Sequence, residues 1–450
     1  TCSDGVSNGN ETGLDCGGGA CPACPDGQGC DVAADCQNGV CTGNVCQAPT
    51  CSDGVSNGNE TGLDCGGSCP ACADGQPCDV AADCQSGVCT ANLCAAPTCT
   101  DGVQNGNETG TDCGGSCPAC VTVHVLRVGD GSAALSGAST AAFVEHRGQD
   151  GSLLNTITLP TAASGTNQPI TLAGSSTAEG GLSRSENGAY VTLAGYAAAP
   201  GTASIAGTAS SATNRVVARI DASGNVDTTT LLNAGFSGSN VRAATSSDGT
   251  GFWVSGTSGA GGTGGVWYIA LGTTGGTQLI TAPNNSRHTH VFGGQLYASA
   301  SSGTFTNVFT VGAGLPTMSG QTSTSLPGMP TASASPYSFV MFDRNPGVAG
   351  VDTLYVADDR AAASGGGVQK WTFDGTTWTL VATFTNGTTT FRGLAGTVSG
   401  SNVLLFATAT ETSANRLVLF IDDGVSTPAG TVIATAGANT AFRGVAISPN

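Results

Sequence analysis

From residue 121 onward, apolar and polar positions alternate in short runs rich in Val, Ile, Thr and aromatic residues, and clusters of Gly, Asn, Asp and Ser separate the runs. This is the period of β-strands, in which successive side chains point to opposite faces. No helical period of useful length interrupts it. Six hairpins of the form strand, turn, strand cover 142–160, 215–232, 266–283, 307–330, 368–384 and 416–436. Other strand pairs precede them, beginning at Leu182, Asn240, Ser286, Ser338 and Phe391. Four strands taken six times predicts an all-β fold, a six-bladed β-propeller over 121–450, with a pair of β-sandwiches as the competing arrangement.

The ends of this region predict how the ring closes. Residues 441–450, AFRGVAISPN, nearly copy TFRGLAG at 390–396 and read as a first strand with no blade after it. VTVHVLRVG at Val121 reads as a second strand with no first strand before it. Strand 441–448 is therefore expected to complete the first blade, which leaves no unpaired edge there.

Residues 1–120 are a different object. They contain no Phe, Trp, Tyr, Lys or Arg, yet hold all 20 cysteines and 15 of the 31 acidic residues. With no aromatic core, disulfides must hold the segment together, which requires an oxidising compartment. The text repeats: TCSDGVSNGNETGLDCGG opens at Thr1 and Thr50, and TCTDGVQNGNETGTDCGGSCPAC opens at Thr98. The units are 1–49, 50–97 and a half repeat, 98–120. Each full repeat splits into two four-cysteine modules: Cys2, Cys16, Cys21, Cys24 then Cys30, Cys36, Cys41, Cys46; and Cys51, Cys65, Cys69, Cys72 then Cys78, Cys84, Cys89, Cys94. The half repeat keeps only Cys99, Cys113, Cys117 and Cys120. This parity suggests that each module closes on itself with two bridges, and three pairings are open to each. Zinc at the CPAC pair Cys21 and Cys24 is the rival reading.

The first module of each repeat also carries oxygen side chains at short spacing. They are Asp4, Asn8, Asn10, Glu11 and Asp15; Asp53, Asn57, Asn59, Glu60 and Asp64; and Asp101, Asn105, Asn107, Glu108 and Asp112. Hard oxygen donors in a Gly-rich loop suit calcium. The alternative is that Asp and Asn form Asx turns. Asn10, Asn59 and Asn107 also begin NET sequons.

The text CSDGVSNGNETGLDCGGSCPAC resembles the Cys-rich DGxxNGxETDxDCGGxCxxC repeat of large bacterial exported surface proteins, and GCDVAADCQSGVCTANLC resembles the module that often accompanies it. The resemblance covers residues 1–120 and implies a surface-exposed spacer or attachment segment. The family has Asp where this chain has Gly13, Gly62 and Gly110, which removes one oxygen donor from each loop. Export also fits the chain's opening at Thr1 without a charged n-region or apolar h-region, a signal peptide being expected to have been removed.

Charge narrows the function classes. The net charge is -18 and only 10% of residues are charged. A nucleic-acid partner held through phosphates needs a basic face, so none is expected. No run of 18 apolar residues exists to span a membrane as a helix. No G-x-S-x-G, H-E-x-x-H or P-loop appears, and the glycines at 261–265 are followed by neither helix nor Lys.

Three constellations merit structural placement. His288 and His290 stand two apart on a strand, the spacing for one shared cation; His124 and His146 read as structural. Arg184, Arg242, Arg287, Arg392 and Arg443 recur at one point of five first strands, with Tyr337 and Ser338 at that point in the fifth blade. An arginine ring at a propeller mouth would bind carboxylated or sulfated ligands, or would bond carbonyls of adjacent blades. Asp358 and Asp359 are a carboxylate pair, but adjacent strand residues face opposite ways. The expectation is an extracellular, non-enzymatic structural or adhesive protein whose partners are other copies of itself in a fibre. A head binding surface glycans or anionic polymers, and a propeller hydrolase or lyase, are the alternatives.

Overall fold

The computed structural model describes residues 1–259, 261–302 and 305–450. The chain divides into two compact units, Thr1–Cys120 and Val121–Asn450.

The second unit is six four-stranded antiparallel sheets, a six-bladed propeller. Blade 1 runs Ala441–Ile447, Thr122–Val128, Ala142–Gly148, Leu153–Thr158 from the axis outward. The later blades begin with Ser183–Arg184, Val241–Thr245, Ser286–Phe292, Pro336–Phe342 and Phe391–Ser399. Closure is by pairing of Ala441 with Val128 through to Ile447 with Val123. A short extra ribbon, Ser139–Thr140 against Leu172–Ala173, lies outside the blades.

The apolar patterning follows from how blades stack. One hydrophobic cluster fills each blade-to-blade interface: Leu126 and Val144 meet Val191 and Val216, for example, and Phe384 meets Phe391 and Phe420. Inner strands are covered on both faces and read as continuous apolar runs. The outermost strand of blade 1, Leu153–Thr158, is mostly exposed.

The first unit holds ten disulfides and no free cysteine. Within each module the first cysteine pairs with the third and the second with the fourth, as in Cys2–Cys21, Cys16–Cys24, Cys30–Cys41 and Cys36–Cys46. All CPAC cysteines are so engaged, which leaves no thiolate for zinc. Half-cystines form the interior: Cys16, Cys24, Cys30, Cys36 and Cys46 pack together, as do Cys72, Cys78, Cys84 and Cys94. Asp35 and Asp83 are buried beside them. Backbone N–H donors from Asp31, Val32 and Gly18 hold the Asp35 carboxyl below the usual carboxylate range, and those of Asp79, Gly67 and Val80 do so for Asp83.

Modules are chained by a contact built twice. Asn57 Nδ2 donates to the carbonyl of Asn38 at 2.7 Å, and Asn105 Nδ2 to that of Ser86 at 2.8 Å. At the same junctions a Cβ placed on Gly39 or Gly87 would come within 3.2 Å of Val55 or Val103. The φ of +72° at Gly39 and +71° at Gly87 favours glycine there, and a side chain would press on the valine of the next repeat.

Candidate functional site

The acidic loops of the first unit are the first candidate. Asp15 accepts the N–H of Asp4 at 2.8 Å and of Gly5 at 3.0 Å; Asp64 and Asp112 accept those of Gly54 and Gly102, each at 2.9 Å. Asp4, Asp53 and Asp101 accept from Val6, Val55 and Val103 and from the amides of Asn8, Asn57 and Asn105. Glu11, Glu60 and Glu108 cap the N–H groups of Asn8, Asn57 and Asn105. Asn59 and Asn107 accept from Ser68 and Ser116, while Asn10 is exposed. The bonds of Asp4 to Val6, Asp53 to Val55 and Asp101 to Val103 are Asx turns, and the others tie the loop across three to eleven residues. Among the described residues no three carboxylates converge; the close groups are half-cystines, alone or with Glu11, Glu60 or Glu108. A disulfide sulfur is no thiolate ligand.

The propeller axis has two mouths. At one, Arg242, Arg287, Arg392 and Arg443 stand at the same level of four first strands. Arg184 does not join them. Gly181 bridges to Ala243, which puts Gly180 at the level of Arg242; Arg184 lies at the opposite mouth, donating to Gly188 O and Asn450 Oδ1. Tyr337 fills the fifth-blade position, its ring covered by Arg287 at 4.0 Å and Arg392 at 4.5 Å, a cation–π sandwich.

Each guanidinium is engaged with a neighbouring segment. Arg242 donates to Asn285 and the Ser286 carbonyl, Arg287 to Ser335 and the Pro336 carbonyl, and Arg443 to the Gly174 carbonyl. Arg392 reaches Thr177 and Asp359. Arg242 and Arg443 are only 7% and 6% exposed. Burial first, then repulsion from neighbouring arginines, pushes each of their pKa values down to about 10. The ring fastens blade to blade. Asp359 serves Arg392 and Asp358 serves Arg360 and the Ser335 N–H, so the two carboxylates have separate structural partners.

His288 and His290 project into the axis with ring centroids 6.0 Å apart. Among the described residues no third metal-ligating side chain joins them. Burial holds the His288 pKa well below the usual range and lowers that of His290 to about 3. His290 Nε2 lies 3.2 Å from Ser338 Oγ, the separation of a nucleophile and its base. Ser338 is fully buried, its hydroxyl donates to the Leu394 carbonyl, and among the described residues no carboxylate orients the imidazole. His124 and His146 are cross-strand neighbours, stacked at 5.0 Å.

The opposite mouth is a cup of about 420 Å³. Its inner layer includes His290, Val340, Ala395 and Ala446, its outer layer Phe292, Phe342 and Thr397, and its rim Arg184, Glu186 and Asp343. The cup draws walls from five blades, and single-strand patterning did not reveal it. The one signal is the unalternated aromatic text HVF and SFVMF in two first strands.

No family model matches this chain, and no curated protein is similar to it. Similar solved structures include the β-propeller domain of Myceliophteria thermophila Cps50 (Swd1), at 11% identity and TM-score 0.33 over 57% of this chain and 86% of that one. Kuenenia stuttgartiensis hydrazine synthase shows 11% identity and TM-score 0.31 over 71% and 81%. A prolyl endopeptidase shows 15% identity and TM-score 0.33 over 68% of this chain and 41% of that one. None of these carries its activity over to this chain.

Proposed function

We propose that this is an exported structural or adhesive protein, a disulfide-stapled repeat arm continued by a propeller head, with other copies of itself as the partner in an extracellular fibre. The observation that supports this reading is the twice-built junction of Asn57 with Asn38 and Asn105 with Ser86. Near-identical modules that dock head to tail by one contact give a stiffened spacer, and contacts of that kind that do not close generate filaments. Ten bridges suit an oxidising exterior. Recognition of anionic polymers by the arginine mouth is the weaker reading, because each guanidinium already bonds a neighbouring segment and Arg242 and Arg443 are buried. Negative-stain images of material released by the native source decide the matter: fibres are expected, and dispersed single particles at every concentration would refute self-assembly.

A further inference from the structure

The cup on the propeller axis is lined by apolar and polar side chains, Ser183, Ser185, Thr397 and the charged rim among them, and hydrogen-bond accounting fixes the character of its floor. Ser338 has one hydroxyl proton, which it gives to the Leu394 carbonyl at 3.0 Å. The contact between Ser338 Oγ and His290 Nε2 must then be donated by the imidazole. His290 is thereby a neutral tautomer with its lone pair on Nδ1. That nitrogen has no partner among the described residues, although the side chain is only 8% exposed, and the residue lines the cup. His288, two residues deeper, does not line it, so His290 is the floor. Phe292 and Phe339 hold its ring, at centroid distances of 5.6 and 4.9 Å.

The remaining surfaces select against charge. Glu186 and Asp343 at the rim repel carboxylates, and Arg184 is occupied by Gly188 and Asn450. The volume of about 420 Å³ lies within the range of small-ligand sites. An acceptor that opens into the cup favours a ligand that supplies a donor over an isostere that does not.

We propose that the cup binds an uncharged phenol, its ring between Phe292, Phe342 and Val340 and its hydroxyl donating to His290 Nδ1. This goes beyond the structural role of the protein and is independent of fibre formation.

The test titrates the whole chain with p-cresol and with 4-methylanisole, which has the same ring but no donor, followed by calorimetry and ligand-observed NMR. p-Cresol is expected to bind saturably and at least about tenfold more tightly than 4-methylanisole. Thr397→Phe, which fills the outer layer, is expected to abolish binding of both. His290→Phe is expected to level the two affinities; if that variant does not fold, the ratio measured on the unaltered chain decides. Equal affinities in the unaltered chain, p-cresol binding that survives Thr397→Phe, or no saturable binding by about 5 mM would each overturn the proposal.

Discussion

Asn57 Nδ2 reaches back 19 residues to the carbonyl of Asn38, and the same bond recurs one repeat later between Asn105 and Ser86. Asn8, at the equivalent place in the first repeat, bonds only within its own loop, to Asp4. Asn57→Ala should therefore weaken its junction by about 1 kcal/mol. Hydrogen exchange should show faster exchange in Asn38–Gly39 and in the segment between the two modules. Asn8→Ala should leave both unchanged.

The arginine mouth makes a contrasting prediction. Arg443→Ala removes a charged donor from the Gly174 carbonyl and leaves that oxygen without its partner. The propeller should lose about 2 kcal/mol in urea unfolding. Arg184→Ala, at the partly exposed opposite mouth, should lose well under that. Sulfate or heparin at constant ionic strength should not raise the unfolding midpoint of the unaltered chain; specific stabilisation would reveal an anion site instead.

Acid should weaken the propeller through its histidines. Burial, then the neighbouring His146, lowers the His124 pKa to about 4, and burial also lowers that of His146. The unfolded chain binds these protons at its ordinary pKa near 6.5, so the folded state is favoured above that value and loses ground as pH falls from about 6.5 towards about 4. For His124 the loss is at most about 3 kcal/mol. Replacing His124 and His146 together by Gln should lessen, not abolish, the fall of the unfolding midpoint across that interval, since the buried His288 and His290 contribute in the same direction.

Reductant and chelator should act differently on the two units. Reduction should open the first unit to protease, each bridge contributing on the order of 3 kcal/mol. It should leave the propeller transition in place, since no cysteine follows Cys120. A calcium chelator should leave the digestion of oxidised protein unchanged, because the loop carboxylates are held by N–H donors. Faster digestion on chelation would restore a cation to those loops.

The blades were legible because strands buried between neighbours must be apolar and their turns must carry Gly, Asn or Asp. Hence 368–384 and 416–436 read as hairpins from the residues alone. The arginine ring was legible in four blades and misplaced in the second. There the matching text is Gly180–Gly181, and a Cβ at Gly181 would meet the His288 ring at 2.4 Å. A side chain from another blade occupies that space, and no local pattern records it. The acidic loops show a different limit: the same oxygens, at the same spacing, serve a cation or a set of turns. Only the positions of the N–H groups separate the two.

The pairing of Ala441–Ile447 with Thr122–Val128 also bears on mechanics. Traction transmitted through Cys120 arrives at a strand clamped along both edges, by Ala441–Ile447 on one side and Ala142–Gly148 on the other. Pulling it free must break two ladders at once, while the short sulfur-closed loops upstream limit how far the chain can be paid out under load.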